Sequence, residues 1–465
     1  MFRILLSGLL LFAATASAGP AADHLAQAIR FPTISHQDSD QLDQASFRGL
    51  HDYLRATYPR VFSQLQVETI NDYSLLLVWP GTEPTLQPVL FTAHLDVVPI
   101  EPGTEQDWEY PPFDGVQANG FVYGRGALDD KIGVISLLEA AESLLAEGYQ
   151  PRRSLVFGFG HDEEIGGVQG AGQLAQEMQR RGMYFDWMVD EGGYVISDSP
   201  LLPDRPVAMI GVAEKAYLTL ILRSSGKGGH SSTPPPQTPI GQLALAVSRL
   251  EANPLPAKIV APVDAMLERT APYVYFPNSL IFDNLWLTSG LVARQMAKDP
   301  VTASFVRTTT ALTIFQAGVK DNVIPQQAEA RVNFRLLPGD TPEQVIAHVR
   351  QVIDDPGIEI ERAQQWSDPP PVAATVGGGF DVIGSAAQAE YREAVVVPYM
   401  MSATTDVRHY VELADNHYRF HGAEISLSQT RGIHGTNERI AIESVERSVL
   451  VARWLLRGGG SPARP

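Results

Sequence analysis

The chain has 465 residues, 44% of them hydrophobic and 19% charged, the balance of a folded protein and not of a disordered one. A formal charge of −18 argues against a basic nucleic-acid surface, and the lack of cysteine excludes disulfides and thiolate metal sites. The length suits two domains, or one large domain with an insertion.

The opening MFRILLSGLLLFAATASAGP sets Arg3 before an apolar run from Ile4 to Ala14, and then Ala16-Ser17-Ala18. That order predicts a secretory signal over 1–18 and export to a bacterial periplasm or the extracellular space. The run is too short to span a bilayer, and no later run of roughly 18 apolar residues follows, so no membrane partner is expected.

From residue 44 to about 195, apolar runs alternate with amphipathic stretches, which predicts a layered α/β sheet. QPVLFTA (87–93), RSLVFGFG (153–160) and FDWMV (185–189) read as buried strands. DDKIGVISLLEAAESLLAEG (129–148) reads as a helix with Ile135, Leu138, Ala141 and Leu145 close to one face. Asp129 and Asp130 suit capping at its start, and Gly148 suits its stop.

The middle differs. VAMIGVAEKAYLTLILRSSG (207–226) looks like a hairpin, followed by the loop GKGGHSSTPPP and a helix from about residue 240. TALTIFQAG (310–318) and AEARVNFRLLPG (328–339) read as strands, TPEQVIAHVRQVI as a helix and GIEIERA as a short strand. Together they predict a compact α+β unit over 212–365, inserted into an α/β domain made of 19–211 and 366–465. QQWSDPPPVAA (364–374) is the exit linker, after which a helix, the strand EAVVVPY and a final helix over 440–457 restore the first pattern.

Three predicted strands end on reactive groups. VLFTA runs into His94 and Asp96, LVFGFG into His161, Asp162, Glu163 and Glu164, and DWMV into Asp190 and Glu191. One such cluster is ordinarily a solvated loop. Three at one end of a sheet point to a crevice, because ligands of open α/β sheets bind beyond the carboxyl ends of the strands. Asp129 at the start of the crossover helix, and His434 between glycines in RGIHGTNER, add to the set. Histidines and carboxylates without thiols suit a divalent metal such as zinc. That many ligands suffice for two ions, with one carboxylate bridging and one acid left as base.

HLDVVP, GTEQDWEYPPF, GRGALDDK, DEEIGG, VDEGG, the GGHSSTP loop, NVIP, TTDVRH and GIHGTNE follow one another along the chain. In this order they resemble the dinuclear zinc metallopeptidase family of carboxypeptidase S, aminoacylase and succinyl-diaminopimelate desuccinylase, over nearly all the mature chain. GTE-x-x-W-x-x-PPF is similar to the carboxypeptidase S and N-acyl amino-acid synthase/hydrolase branch. The resemblance implies a zinc-peptidase-like α/β domain, a mixed sheet with helices on both faces, and an inserted α+β lid or dimerisation-type domain. It implies two divalent ions, zinc being the expectation, held by His94, Asp129, Glu164, Asp190 and His434, with Asp129 bridging. In VDEGG the ligand falls on Asp190 or Glu191, and Asp190, nearer the strand end, is favoured.

The same resemblance makes Glu163 the general base, Asp96 the carboxylate that holds His94, and His230 a transition-state stabiliser brought over the metals. Asn322 and Arg335 look like the family's contacts to a substrate carboxylate, and Asn333 stands where some relatives carry Asp. His161 reads as a neighbouring or solvent group, and His24, His36, His51, His348, His409, His417 and His421 as surface or structural histidines. The implied reaction is hydrolysis of the C-terminal bond of a short peptide, or of the acyl-amide bond of an N-acyl amino acid. A dinuclear ester or phosphoester hydrolase and a non-catalytic peptide-binding relative are the alternatives. A homodimer is left open, as is the copy whose metals His230 would serve.

Overall fold

VLFTAH forms the strand Val89–His94, buried at every position, which requires a strand on each side and a layer over each face. The computed structural model describes residues 19–366 and 369–461, so the expected signal over 1–18 lies outside the described residues. Val89–His94 pairs in parallel with Leu155–Gly160 and with Trp187–Asp190, and the latter pairs in parallel with His417–Arg419. The antiparallel pair Gln66–Ile70 and Ser74–Trp79 extends one edge. Val207–Glu214, Val195–Ile196, Glu424–Ile425 and Val395–Met401 extend the other, completing a mixed ten-stranded sheet.

Alternate residues of its strands feed two separate cores. Leu75, Leu77, Val89, Phe91, Leu155, Phe157, Trp187 and Val189 face the core shared with helices Pro20–Ile29, Lys131–Ala146 and Ile442–Gly459. Leu76, Leu90, Val156 and Met188 face the other way, onto Leu174 and Met178 of helix Ala171–Arg180 and onto Tyr410. This period-two split is what places helices on both faces. Helix Lys131–Ala146 begins after Asp130, which makes no side-chain cap hydrogen bond. The capping expected of Asp129 and Asp130 is therefore corrected: both carboxylates are engaged by histidines instead. Gly148, at φ 74°, supplies the left-handed stop.

Ala216–Ser225 opens a second sheet, antiparallel throughout, in the order Thr309–Ala317, Gln327–Leu336, Ala216–Ser225, Ile358–Trp366. Helices Pro239–Ala252 and Pro342–Ile353 cover one face, around Leu218, Leu220, Leu222, Leu243, Phe334, Val345 and Val349. The expected hairpin over 207–226 is not formed. Val207–Glu214 belongs to the main sheet beside Val395–Met401, and the chain crosses into the second sheet at Lys215. Both apolar runs need partners on two sides, and apart from Val195–Ile196 those partners are distant in sequence. The pattern reading also passed over helices Ala261–Thr270, Asn278–Phe282, Leu285–Met296 and Pro300–Val306. Val263, Met266, Leu267, Leu285 and Val292 from these helices pack on Val207, Ala213, Val395 and Val397 of the main sheet. Among the described residues no helix is long and apolar enough to cross a membrane.

Candidate metal centre and active site

Because the three central strands run parallel, their carboxyl ends lie level: His94 stands opposite Gly160, and Phe91 opposite Val189. His94 closes its strand with 1% of its surface exposed. Its Nδ1 faces the Asp96 backbone carbonyl at 3.0 Å and Asp96 Oδ1 at 3.4 Å, so Nδ1–H donates there. Nε2 is turned to Asp129 Oδ1 at 2.9 Å and Glu191 Oε1 at 3.7 Å. Burial would lower this imidazole, but its bonds to Asp129 and Asp96 outweigh it and hold it well above its usual range. Nε2–H therefore donates to Asp129, and a divalent ion would take the place of that proton. The second Asp129 oxygen lies 3.1 Å from His434 Nε2, which is 2.9 Å from Glu164 Oε2. One carboxylate thus stands between two imidazoles from opposite ends of the chain.

Two buried acids hold the loops of this site. Asp96 accepts the backbone N–H groups of Glu163 at 3.1 Å and Glu164 at 3.2 Å, tying the turn after Leu155–Gly160 to the His94 strand. Glu438 accepts from the N–H groups of Gly126 at 3.1 Å, Leu128 at 2.8 Å and Asp129 at 3.2 Å, and is paired with Arg125 at 2.6 Å. Glu438 had no role in the sequence reading, although it ends the quoted segment GIHGTNE. His421, read as a surface or structural histidine, is buried, 2.8 Å from Asp130 Oδ1, while Asp130 Oδ2 accepts the His94 N–H at 3.2 Å. His161 is buried too, bonded to Ser74 at 2.7 Å and packed on Phe47 and Tyr73, so it is not a solvent group.

The electrostatics are those of an anionic pocket. Burial lifts Glu163 and Glu191 well above the usual carboxylate range and Glu164 to about 7, and the charges of Asp406 and Asp129 push the same way. Hydrogen bonds donated by the His434 ring to Asp129 and Glu164 raise it to about 10. Burial would raise Asp129 as well, but the two histidines outweigh it and hold it below the usual range. His94, Asp129 and Glu164 offer one donor atom each within 4.8 Å of one another, and so do His94, Glu163 and Glu191. Imidazole nitrogens and crowded carboxylate oxygens, with no thiol, fit a divalent cation whose charge would relieve this repulsion.

The sequence pattern of peptidase family M20/M25/M40 matches residues 90–457. The chain belongs to this family. It is 37% identical over 433 residues to a probable carboxypeptidase S-like protein of Dictyostelium discoideum, spanning 92% of this chain and 83% of that one. It is 38% identical over 430 residues to the N-fatty-acyl-amino acid synthase/hydrolase of Mus musculus, spanning 91% and 84%. The fold superposes on an M20 family metallo-carboxypeptidase of Sulfolobus solfataricus with a TM-score of 0.69 at 18% identity, over 95% of this chain and 99% of that one. The architecture is therefore the M20 peptidase fold, on the carboxypeptidase S-like branch.

Within this M20 chain, the remaining expected site residues divide by location. Asp190, the last residue of its strand, turns to the Thr92 hydroxyl at 2.8 Å, and its Oδ2 has no hydrogen-bond partner among the described residues. Glu191, one residue on, is the group that reaches His94. His230 and Asn322 share an exposed ribbon: Gly229–His230 pairs with Val323–Ile324, and the Asn322 carbonyl accepts the Ser231 N–H at 3.2 Å. The His230 ring accepts from Ser232, and no hydrogen bond or ion pair joins it to the acidic pocket among the described residues. Arg335, half-buried, lies over the Tyr217 ring at 4.7 Å.

Proposed function

We propose that this M20 chain is a metal-dependent amidohydrolase that releases the C-terminal residue of a short peptide or cleaves the acyl-amide bond of an N-acyl amino acid. The observation that carries this reading is Asp129 held between His94 and His434, with Glu163 beside them and bonded to neither imidazole. In this reading His94, Asp129, Glu164, Glu191 and His434 would hold two divalent ions, zinc by preference, with Asp129 shared. Glu191 is preferred to Asp190 because it approaches His94 at 3.7 Å, whereas Asp190 is turned to Thr92. When bound, such ions supply Lewis acidity and make water acidic enough to act as a nucleophile near neutral pH.

The chain's own groups do the rest. Glu163 takes the proton of the attacking water and returns it to the departing amine nitrogen. Asp96 keeps His94 in the tautomer that leaves Nε2 free. Arg335 and Asn322 are assigned to the substrate carboxylate, and His230 to the developing oxyanion. The ribbon bearing His230 and Asn322 is exposed, so these two act after closure of the second sheet and its ribbon over the site, or on the site of a second copy in a homodimer. We also propose that the chain is exported, residues 1–18 being the signal, and that 19–211 with 366–465 form the catalytic domain.

A turnover screen tests the function: matched dipeptides and N-acyl amino acids, with zinc, cobalt or manganese added. Release of free amino acid that depends on the metal is the expected result. Turnover of esters or phosphoesters alone would overturn the reading.

A further inference from the structure

Arg408 belongs to no motif role given above. It sits on the short helix Val407–Tyr410 of the main unit, and its Nη2 lies 3.8 Å from Glu163 Oε1 and 4.0 Å from Asp406 Oδ1. Both separations are too long for hydrogen bonds, and its Nε reaches only His409 Nε2, at 3.5 Å. The Nη donors therefore have no close acceptor among the described residues. Arg335, on strand Gln327–Leu336 of the second sheet, is in a similar condition, since its Nη1 is buried without a hydrogen-bond partner among the described residues. Burial pulls Arg335 below the usual guanidinium range, and the Arg408 charge acts in the same direction.

One guanidinium thus comes from a helix of the main unit, beside the proposed base, and the other from a strand of the second sheet. The geometry points to Arg408 as a specificity-determining residue that clamps the α-carboxylate of the leaving amino acid together with Arg335. The inference rests on the amide-hydrolysis reading above and names what that site selects. Chain geometry favours it. In an α-amino acid the carboxylate carbon lies two bonds from the amine nitrogen, about 2.5 Å away. Glu163 must reach that nitrogen to return the proton, so a cation 3.8 Å from Glu163 is placed where the carboxylate arrives. A guanidinium meets a carboxylate with two parallel N–H donors, which neither a carboxamide nor an ester can match in charge.

The experiment compares the metal-loaded protein with its Arg408→Ala and Arg408→Lys variants on matched substrates, an N-acyl amino acid or dipeptide and its C-terminal carboxamide. Wild type is expected to prefer the free acid. Arg408→Ala should cut that preference roughly 10- to 100-fold, mainly through KM, because a charged hydrogen-bond partner is lost. Arg408→Lys should recover part of it, and metal content and melting temperature should stay at the wild-type values. An equal loss on acid and amide would overturn the clamp and leave Arg408 acting on Glu163 alone. If wild type prefers the acid and Arg408→Ala keeps the full preference, the clamp falls while the hydrolase reading stands. If wild type cleaves neither compound, both fall.

Discussion

Asp96 accepts the backbone N–H of Glu163 at 3.1 Å while its other contacts hold the ring of His94, so one buried carboxylate sets the spacing of two strand ends. Asp96→Ala should release both together. Metal affinity is expected to fall about 10- to 100-fold, the usual cost of losing such a supporting partner. Competition with a chelator measures it.

Glu163 and Glu164 are neighbours with different surroundings. Glu164 meets His434 at 2.9 Å, whereas Glu163 contacts no imidazole within hydrogen-bond distance. Glu163→Gln should lower kcat by roughly 10²- to 10⁴-fold with both metals retained. Glu164→Gln should loosen a metal ion. Metal stoichiometry and kcat, determined for both variants side by side, separate the roles. A Glu163→Gln protein that loses metal would reverse them.

The adjacent pair Asp190 and Glu191 gives a second contrast. Glu191→Ala is expected to lower bound metal, because that carboxylate approaches His94 at 3.7 Å. Asp190→Asn should leave stoichiometry intact, since the carboxylate is turned to Thr92. Elemental analysis decides, and loss of metal in Asp190→Asn alone would return the ligand role to Asp190.

Glu438 accepts three backbone N–H groups ahead of the helix Lys131–Ala146 and neutralises buried Arg125. Glu438→Ala leaves that arginine unpaired in the interior, which costs about 3–5 kcal/mol. Chemical denaturation should register the loss, and turnover should fall with it as the Asp129 loop loses its anchor.

Burial, with the Arg419 charge, depresses His417 to about 4 from an ordinary value of 6.5. Its neutral form is favoured by folding, so the stability it contributes is complete above pH 6.5 and is lost as pH falls toward 4. At pH 5 the loss should approach about 2 kcal/mol. Denaturant midpoints between pH 7 and 5 should therefore drop, and His417→Gln, which does not titrate, should flatten the slope by that amount.

The sequence by itself determined the α/β character and the strand ends that carry the chemistry. Long apolar runs such as VLFTA and LVFGFG have no stable place outside a doubly covered sheet, and the polar groups after them mark where they emerge. The motif order was equally legible, because motifs are local and survive without any knowledge of contacts. Tertiary structure alone decided matters of direction and pairing. Asp190 and Glu191 are one residue apart, yet register against the Val89–His94 strand sets the first beside Thr92 and leaves the second toward His94. Val207–Glu214 and Ala216–Ser225 look like two arms of one hairpin, but they do not pair with each other: their long partners Val395–Met401 and Gln327–Leu336 lie far along the chain, and local pattern contains no record of pairing. His421 and Glu438 entered the neighbourhood of the site because backbone folding brought them to Asp130 and Asp129, where burial makes a single hydrogen bond or charge pair decisive.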